Sequence, residues 1–211
     1  MPAAKTRTPR SPGAKAAAGK AARKPAARDA IVLLKADHAE VKKMHRQYET
    51  LVDDGADASS RGALASEICH ALTAHATAEE ELFYPAARQA LADDTMLDHA
   101  DVEHACAKTL ISQIEAMHPD DSHFDAKVVV LCEYVAHHVK EEETELFPAC
   151  RKAGTMDLKA LGASIVARKA EVMAALLSGS PAAPQPGHPP EYPSRDPKAS
   201  AGSPNAAAAG R

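Results

Sequence analysis

The sequence predicts an all-α protein: an up-down-up-down four-helix bundle with a short fifth C-terminal helix and disordered tails. Between about residues 29 and 177, apolar residues recur at steps of three and four, which is the spacing of one helix face. No segment in this range shows the strict alternation typical of a half-buried strand. The breaks between the periodic segments are short, and short connections make neighbouring helices antiparallel.

Each predicted helix carries one row of apolar residues that face the same side, here called its apolar seam. The first four helices are predicted at about residues 29–53, 61–90, 97–118 and 123–151. The breaks between them fall at Asp53-Asp54-Gly55, Asp93-Asp94 and Pro119-Asp120-Asp121. A shorter fifth helix, at about residues 157–177, follows Gly154.

The two ends of the chain differ in composition from its middle. Residues 1–28 contain eight Lys or Arg, no acidic residue and no Ile, Leu, Val or aromatic residue, and residues 178–211 are rich in Pro, Ala, Ser and Gly. Because neither segment can bury a core, both are predicted to be disordered. Residues 29–177 then form one folded domain. With 14 basic and 27 acidic residues, this domain favours cations over nucleic acid.

The sequence also bears on partners and compartment. No stretch reaches the roughly 18 apolar residues of a membrane span, and the N-terminus has no apolar run typical of a secretory signal. The four cysteines are widely spaced and none is in a C-x-x-C pair, which favours reduced, mostly buried thiols. We expect a cytoplasmic protein without membrane contact. The basic 1–28 tail either contacts DNA, RNA or polyphosphate or only aids solubility, and the oligomeric state stays open.

Six polar residues lie on the apolar seams, where a bundle helix normally faces its core. They are His38, His75, Glu79, His104, His138 and Glu142. A single seam histidine is most often a hydrogen-bonded core residue, and a lone buried carboxylate would cost several kcal/mol or take up a proton. That interpretation weakens when all four helices carry a seam histidine and two of them add a glutamate.

The spacing of these residues places them at matching depths. In His75-x-x-x-Glu79 and His138-x-x-x-Glu142, the two partners lie on one helix face. Each seam histidine is 15 or 16 residues from the turn that joins its helix to its neighbour, a rise of about 22–24 Å. Four imidazoles and two carboxylates that converge in a core need a cation. Mixed nitrogen and oxygen ligands without thiolate suit iron, with manganese or zinc as less favoured alternatives.

An internal repeat links the two glutamates. Residues 75–85 and 138–148 both run ten residues from His to Pro, and they contain Leu-Phe-Tyr-Pro and Glu-Leu-Phe-Pro respectively. With Asp37-His38 and Glu103-His104, the order of these motifs resembles the pattern of the hemerythrin HHE cation-binding domains over about residues 31–150. The resemblance implies a di-iron centre, oxo- or hydroxo-bridged, with Glu79 and Glu142 as bridging carboxylates and terminal imidazoles.

The resemblance also implies chemistry with O2, NO or peroxide at an open iron position. Oxygen-carrying hemerythrins have one more histidine on the third helix, whereas His104 has Ala100 and Lys108 one turn to either side. This departure weighs against reversible O2 carriage and leaves the iron coordination more open. Two functions follow: a protein that binds or senses such a ligand or handles iron, which we favour, and an enzyme that decomposes peroxide or reduces NO.

Other candidates receive less weight. His137 and Glu141 repeat the His-x-x-x-Glu spacing one residue earlier, off the seam, and are predicted to be surface residues. Tyr48 lies on the seam of helix one, where core packing is expected but a hydrogen bond into the site is an alternative. A ferritin-like carboxylate bundle would use Glu-x-x-His pairs. Glu67-x-x-His70 and Glu115-x-x-His118 fit the letters, but the first pair is off the seam and the second lies at a helix end.

Overall fold

The computed structural model describes residues 28–178, and all regular secondary structure in this range is helical. The predicted disordered tails lie outside the described residues except at their inner ends. The predicted all-α class is confirmed, whereas the up-down-up-down order of the helices stays a prediction. No helix between residues 28 and 178 combines the length and the hydropathy that crossing a bilayer requires.

The helices follow the predicted order closely. They are α1 (Ala30–Asp53), α2 (Ala58–Ala78), α3 (Tyr84–Ala90), α4 (Thr95–Glu115), α5 (Phe124–Glu141), α6 (Phe147–Ala153) and α7 (Leu158–Ser178). The second helix begins three residues earlier than predicted because the Asp57 side chain caps it, accepting a hydrogen bond from the Ser60 N–H at 2.9 Å. The fifth predicted helix corresponds to α7, which has 21 residues, as many as α4, so it is not short.

Two π-helical segments were not predicted. Glu79–Phe83 joins α2 to α3, and Glu142–Leu146 joins α5 to α6, so the second and fourth predicted helices each contain a wider turn. A π turn adds one residue to the helical repeat and leaves the hydrogen-bonded backbone continuous. Each segment begins at one of the seam glutamates, and Pro85 and Pro148 follow at the start of the next α-helical stretch.

The core consists of two apolar clusters with a polar layer between them. The first contains Phe83, Leu97, Leu146, Phe147 and Ile165, and the second is formed around Tyr48, Ile68, Ile114, Val128 and Leu131. On each of the four helices, the seam histidine lies between the residues of the first cluster and those of the second.

All four thiols are free, and three of them are buried while Cys106 is exposed.

Helix α7 packs against α1 and α2, outside the four helices that carry the seam histidines. The close approach of α7 to the start of α1 depends on Gly162, where a Cβ atom would clash with the Arg28 carbonyl oxygen and lie 3.0 Å from the Ala30 nitrogen. Two charged residues of α7 form ion pairs with the neighbouring segments: Arg168 binds Glu81 at 2.6 and 2.9 Å, and Lys169 binds Asp37. Helix α7 thus contacts the segments that carry seam residues.

Candidate metal centre

The structure brings the six predicted residues together in the layer between the two apolar clusters. All six are buried, with exposed fractions of 0–6%. They form two groups whose candidate ligand atoms lie within 4.8 Å of one another: His38, His75, Glu79 and Glu142 in the first, and Glu79, His104 and His138 in the second. Glu79 belongs to both groups, and Glu142 Oε2 of the first lies 3.6 Å from His138 Nε2 of the second.

The histidines face each other in pairs through their Nε2 atoms. His38 Nε2 lies 3.2 Å from His75 Nε2, and His104 Nε2 lies 3.1 Å from His138 Nε2. Two nitrogens bound at about 2.1 Å to one cation, at a right or tetrahedral angle, would lie about 3.0–3.4 Å apart. Both separations match that of two imidazoles on the same ion.

The other ring nitrogen of each histidine contacts a carboxylate. The Nδ1 atoms of His38, His75, His104 and His138 lie 3.0, 3.3, 2.9 and 2.7 Å from Glu143, Asp37, Glu80 and Glu103, respectively. We call these four acids the outer carboxylates. An ionised carboxylate can only accept, so each Nδ1 donates and the Nε2 of a neutral ring presents its lone pair to the centre. This is the arrangement that orients metal-ligating histidines in proteins.

Burial and charge oppose each other at the centre. Burial alone would lower the pKa of His75, but the charge of Glu79 and the hydrogen bond to Asp37 raise it to about 10. Burial likewise opposes ionisation of Glu79, yet the charges of His75 and His104 hold its pKa well below the usual range. Without a metal, these shifts favour a protonated His75 beside an ionised Glu79 at neutral pH.

Two carboxylate oxygens of the centre have no hydrogen-bond partner among the described residues. They are Glu79 Oε1 and Glu142 Oε2, both buried. Glu142 Oε2 is within 3.3 Å of His38 Nε2, but the angles are not those of a hydrogen bond. Leaving a charged buried acceptor unsatisfied is costly. A cation between the histidine pairs and the glutamates would remove that cost, so the donor set fits a metal pair.

The Tyr84 hydroxyl lies among these side chains and was not predicted to do so. It donates a hydrogen bond to Glu142 Oε1 at 3.0 Å, and it lies 3.4 Å from Glu79 Oε2 and 3.2 Å from His104 Nε2. Burial and the charges of Glu79 and Glu142 raise the pKa of Tyr84 well above its usual value, so the hydroxyl keeps its proton. Tyr84 is the one phenol in contact with the centre among residues 28–178.

The π turn explains why this tyrosine was missed. In a regular α-helix, the fifth residue after Glu79 would point about 140° away from it. The extra residue of the π segment rotates Tyr84 back to the side of Glu79. Phe147, five residues after Glu142, is placed in the same way, and its ring stacks on His38 with the centroids 5.8 Å apart. The sequence feature that could have indicated these π turns was the repeated ten-residue distance from His to Pro.

Tyr48, the tyrosine considered as a hydrogen-bond donor to the site, does not point there. Its hydroxyl donates to Asp125 at 2.7 Å, and Arg61 also binds this carboxylate. His137 and Glu141 lie at the surface, as predicted, with their side chains 65% and 46% exposed. They do, however, form a third group of candidate ligands together with Glu103.

Two cavities reach the centre. The larger, of about 690 Å³, lies within the bundle and is lined by all four seam histidines and by apolar side chains such as Val41, Leu72 and Ile111. The smaller, of about 180 Å³, lies between α4 and the α5–α6 region and is lined by His138, Glu142 and several surface acids. The centre is therefore reached by an apolar route and by an acidic one.

Comparison with known proteins identifies the family. Residues 29–150 match the hemerythrin HHE cation binding domain family. Over 80 residues the chain is 40% identical to a DNA nickase from Nostoc sp. (strain PCC 7120), a match that covers 38% of this chain but only 22% of that protein. The crystal structure of a hemerythrin HHE cation binding domain-containing protein from Mycobacterium kansasii is similar, with a TM-score of 0.59 and 23% identity, over 72% of this chain and 91% of that chain.

The structural likeness, at this identity, speaks for the fold alone, and it agrees with the helical bundle described above. The family match spans more than half of the chain and includes all six seam residues. The two groups of buried histidines and glutamates lie inside the matched range and are the cation-binding feature that it would require. The chain therefore belongs to the hemerythrin HHE cation-binding domain family.

Proposed function

We propose that this chain is a di-iron protein that binds or senses O2, NO or peroxide, or handles iron. In this proposal His38 and His75 would hold one ion, His104 and His138 would hold the other, and Glu79 and Glu142 would bridge them. The observation that carries it is the pairing of the four Nε2 atoms, 3.1–3.2 Å apart, around two buried glutamates with unsatisfied oxygens. Hydrogen-bonded core histidines would not leave those oxygens unpaired.

Iron is the metal that the ligand set favours. The centre offers imidazole nitrogens and carboxylate oxygens and no thiolate. These ligands suit iron, whereas copper and structural zinc sites use softer ligands. Manganese and zinc remain the alternatives, to be separated by metal analysis. Iron held by these residues would supply redox chemistry to a ligand bound at the centre.

The larger cavity supports a small ligand as the partner. It reaches the four histidines, and its walls include apolar side chains from all four bundle helices, namely Val41, Leu72, Ile111 and Val135. A weakly polar diatomic molecule would enter such a space at little cost, because it loses few hydrogen bonds to water. The volume of about 690 Å³ exceeds what such a molecule needs, so the cavity has room for it.

Tyr84 favours the second candidate function, an enzyme that decomposes peroxide or reduces NO. Such chemistry needs a proton donor, and the Tyr84 hydroxyl holds a proton 3.0 Å from Glu142 and 3.2 Å from His104. A catalase assay on iron-loaded protein separates the two functions, since a binding protein would show no sustained turnover.

Two further features belong to this proposal. The first is the up-down-up-down order: the first apolar cluster precedes the seam histidine on α1 and α4 and follows it on α2 and α5, as alternating helix directions require.

The second is the compartment and the partners: in this proposal the protein is cytoplasmic and its acidic domain does not bind nucleic acid, which leaves any polyanion contact to residues 1–28. The match to the DNA nickase covers too little of that protein to argue for nicking activity.

Metal analysis tests the central proposal. Purified protein should carry about two iron ions per chain, one for each group of ligands, and the oxidised form should show a near-ultraviolet band typical of a bridged ferric pair. His75→Ala and Glu142→Ala should each lower the iron content strongly. His137→Ala is the matched control and should leave the final content unchanged, because its side chain is 65% exposed. Equal losses at His137 and His138 would refute the assignment of ligands.

A further inference from the structure

The four outer carboxylates do not have equivalent surroundings. Three of them each bind a lysine: Glu143 pairs with Lys35, Glu80 with Lys108 and Asp37 with Lys169. The fourth, Glu103, forms no ion pair with a lysine or arginine among residues 28–178. A lysine thus offsets the negative charge of three outer carboxylates, whereas no lysine or arginine of the described residues offsets that of Glu103.

Glu103 instead lies beside an imidazole and a second carboxylate. His137 and Glu141 sit four residues apart on α5, with His137 Nε2 3.2 Å from Glu141 Oε1. Together with Glu103 they offer one nitrogen and two oxygens within 4.8 Å of one another. One oxygen of Glu103 accepts the hydrogen bond from His138 Nδ1 at 2.7 Å, which leaves its other oxygen for a further ligand.

The smaller cavity connects two members of this cluster, Glu103 and Glu141, with the buried centre, while His137 lies outside its lining. Its exposed wall carries His99, Glu141 and Glu145, Glu103 stands half-buried beside them, and its buried wall includes His138 and Glu142. Glu142 is 98% buried, and its Oε2 is one of the two unpaired carboxylate oxygens of the centre. An acidic passage whose buried wall includes this glutamate has the charge and chemistry to draw in a cation.

We propose that Glu103, His137 and Glu141 form a surface capture site for a divalent transition-metal ion, from which the ion passes through this passage to the buried centre. The inference rests on the proposed di-iron function, because the passage leads to the ligands of that centre. Mixed imidazole and carboxylate ligands bind such ions, and a partly exposed site releases them more readily than a buried one. The other three outer carboxylates are each paired with a lysine and therefore attract such ions less.

The rate of metal loading tests the proposal. Iron-free protein is mixed with Fe²⁺ without oxygen, a chelator stops the reaction at set times, and the iron retained by the protein is counted. The double variant His137→Ala/Glu141→Gln should load about tenfold more slowly than the wild type and reach the same final content. The control His118→Ala/Glu133→Gln removes the same two side-chain types from exposed positions that do not line the passage, and it should load at the wild-type rate.

A second measurement addresses the capture site by itself. Iron-loaded protein is titrated with Mn²⁺, and the loss of the free-ion electron paramagnetic resonance signal should show one further site that the double variant lacks. Loading of the double variant at the wild-type rate would overturn the proposal, and so would equal slowing of the control, which would indicate general charge attraction. A folded double variant with less final iron would place these residues in the centre instead. A wild type that takes up no iron would refute the proposed function, and the Mn²⁺ titration would still report on the surface cluster.

Discussion

Residues 75–85 and 138–148 are two copies of one sequence repeat, and they differ at a position next to the candidate metal centre. Each copy has a histidine, a glutamate four residues later and a π turn that starts at the glutamate. Five residues after the glutamate, the first copy has Tyr84 and the second has Phe147. The hydroxyl of Tyr84 contacts both glutamates, whereas the ring of Phe147 stacks on His38 without a polar contact.

The difference shows how a symmetric framework can hold an asymmetric centre. The repeated backbone places corresponding ligands from both halves, and the Tyr84 hydroxyl is one feature that distinguishes the two groups of ligands. Tyr84 lies 3.2 and 3.4 Å from His104 and His138, so it sits on the side of the second histidine pair. We therefore expect the two ions to differ in environment although their histidine ligands correspond.

Removal of the metal should have the largest effect, and it should loosen both halves together. Folded protein binds the metal and the unfolded chain does not hold the ligands together, so binding free energy becomes folding free energy. At a hundredfold excess of metal over its Kd this adds about 2.7 kcal/mol, which corresponds to a Tm higher by about 5–10 °C. Thermal melts with and without a chelator measure this shift.

Hydrogen exchange shows where the loosening occurs. Protection in the metal-free protein should fall around residues 72–82 and 135–146 alike, because Glu79 and Glu142 both carry unsatisfied oxygens when no cation is present. Loosening of one segment only would break the equivalence of the two halves. Identical melting curves for metal-free and iron-loaded samples would contradict a metal site in the core. Metal uptake at neutral pH should also release protons, since the pKa of His75 in the metal-free protein is raised to about 10.

The helices and the placement of the six seam residues followed from the sequence because both depend on local periodicity. Seam spacing places His38, His75, His104 and His138 on inward faces at similar depth, and the structure brings them together. Periodicity cannot reveal a π turn, since the turn changes the repeat itself, and so Tyr84 was missed. The lysines behind the outer carboxylates were missed because their contacts join separate helices, as Lys169 of α7 does with Asp37 of α1.

Tyr84→Phe makes the two halves alike and should have the next largest effect. The variant removes the donor to Glu142 Oε1 and leaves an additional buried carboxylate oxygen without that partner. Loss of a group that orients a metal ligand typically lowers metal affinity about 10–100-fold. We expect the variant to fold and to bind iron more weakly, with a changed optical spectrum, as measured by competition with a chelator of known affinity.

The reciprocal change, Phe147→Tyr, serves as its control. It adds a hydroxyl to the other half, next to His38, and should not restore the affinity when combined with Tyr84→Phe, because Phe147 has no polar contact with the glutamates. An unchanged affinity and spectrum in Tyr84→Phe would show that the phenol only fills space. Recovery in the double variant would show that the two halves are interchangeable, against the asymmetry argued above.

Tyr48→Phe should have the smallest effect, and none on the metal. Tyr48 is fully buried in the second apolar cluster, and its hydroxyl donates to Asp125, which Arg61 also binds, so the loss should be about 1 kcal/mol of stability with unchanged iron content. Burial and the hydrogen bond to Asp125 raise the pKa of Tyr48 above its usual value. Between the unfolded pKa of about 10 and this higher value, the unfolded chain releases the proton first, so stability falls as pH rises. Urea unfolding from pH 9 to 11 should show a shallower fall in the variant than in the wild type. A loss of iron in Tyr48→Phe would show that the second cluster, and not only the Tyr84 side of the centre, controls the ligands.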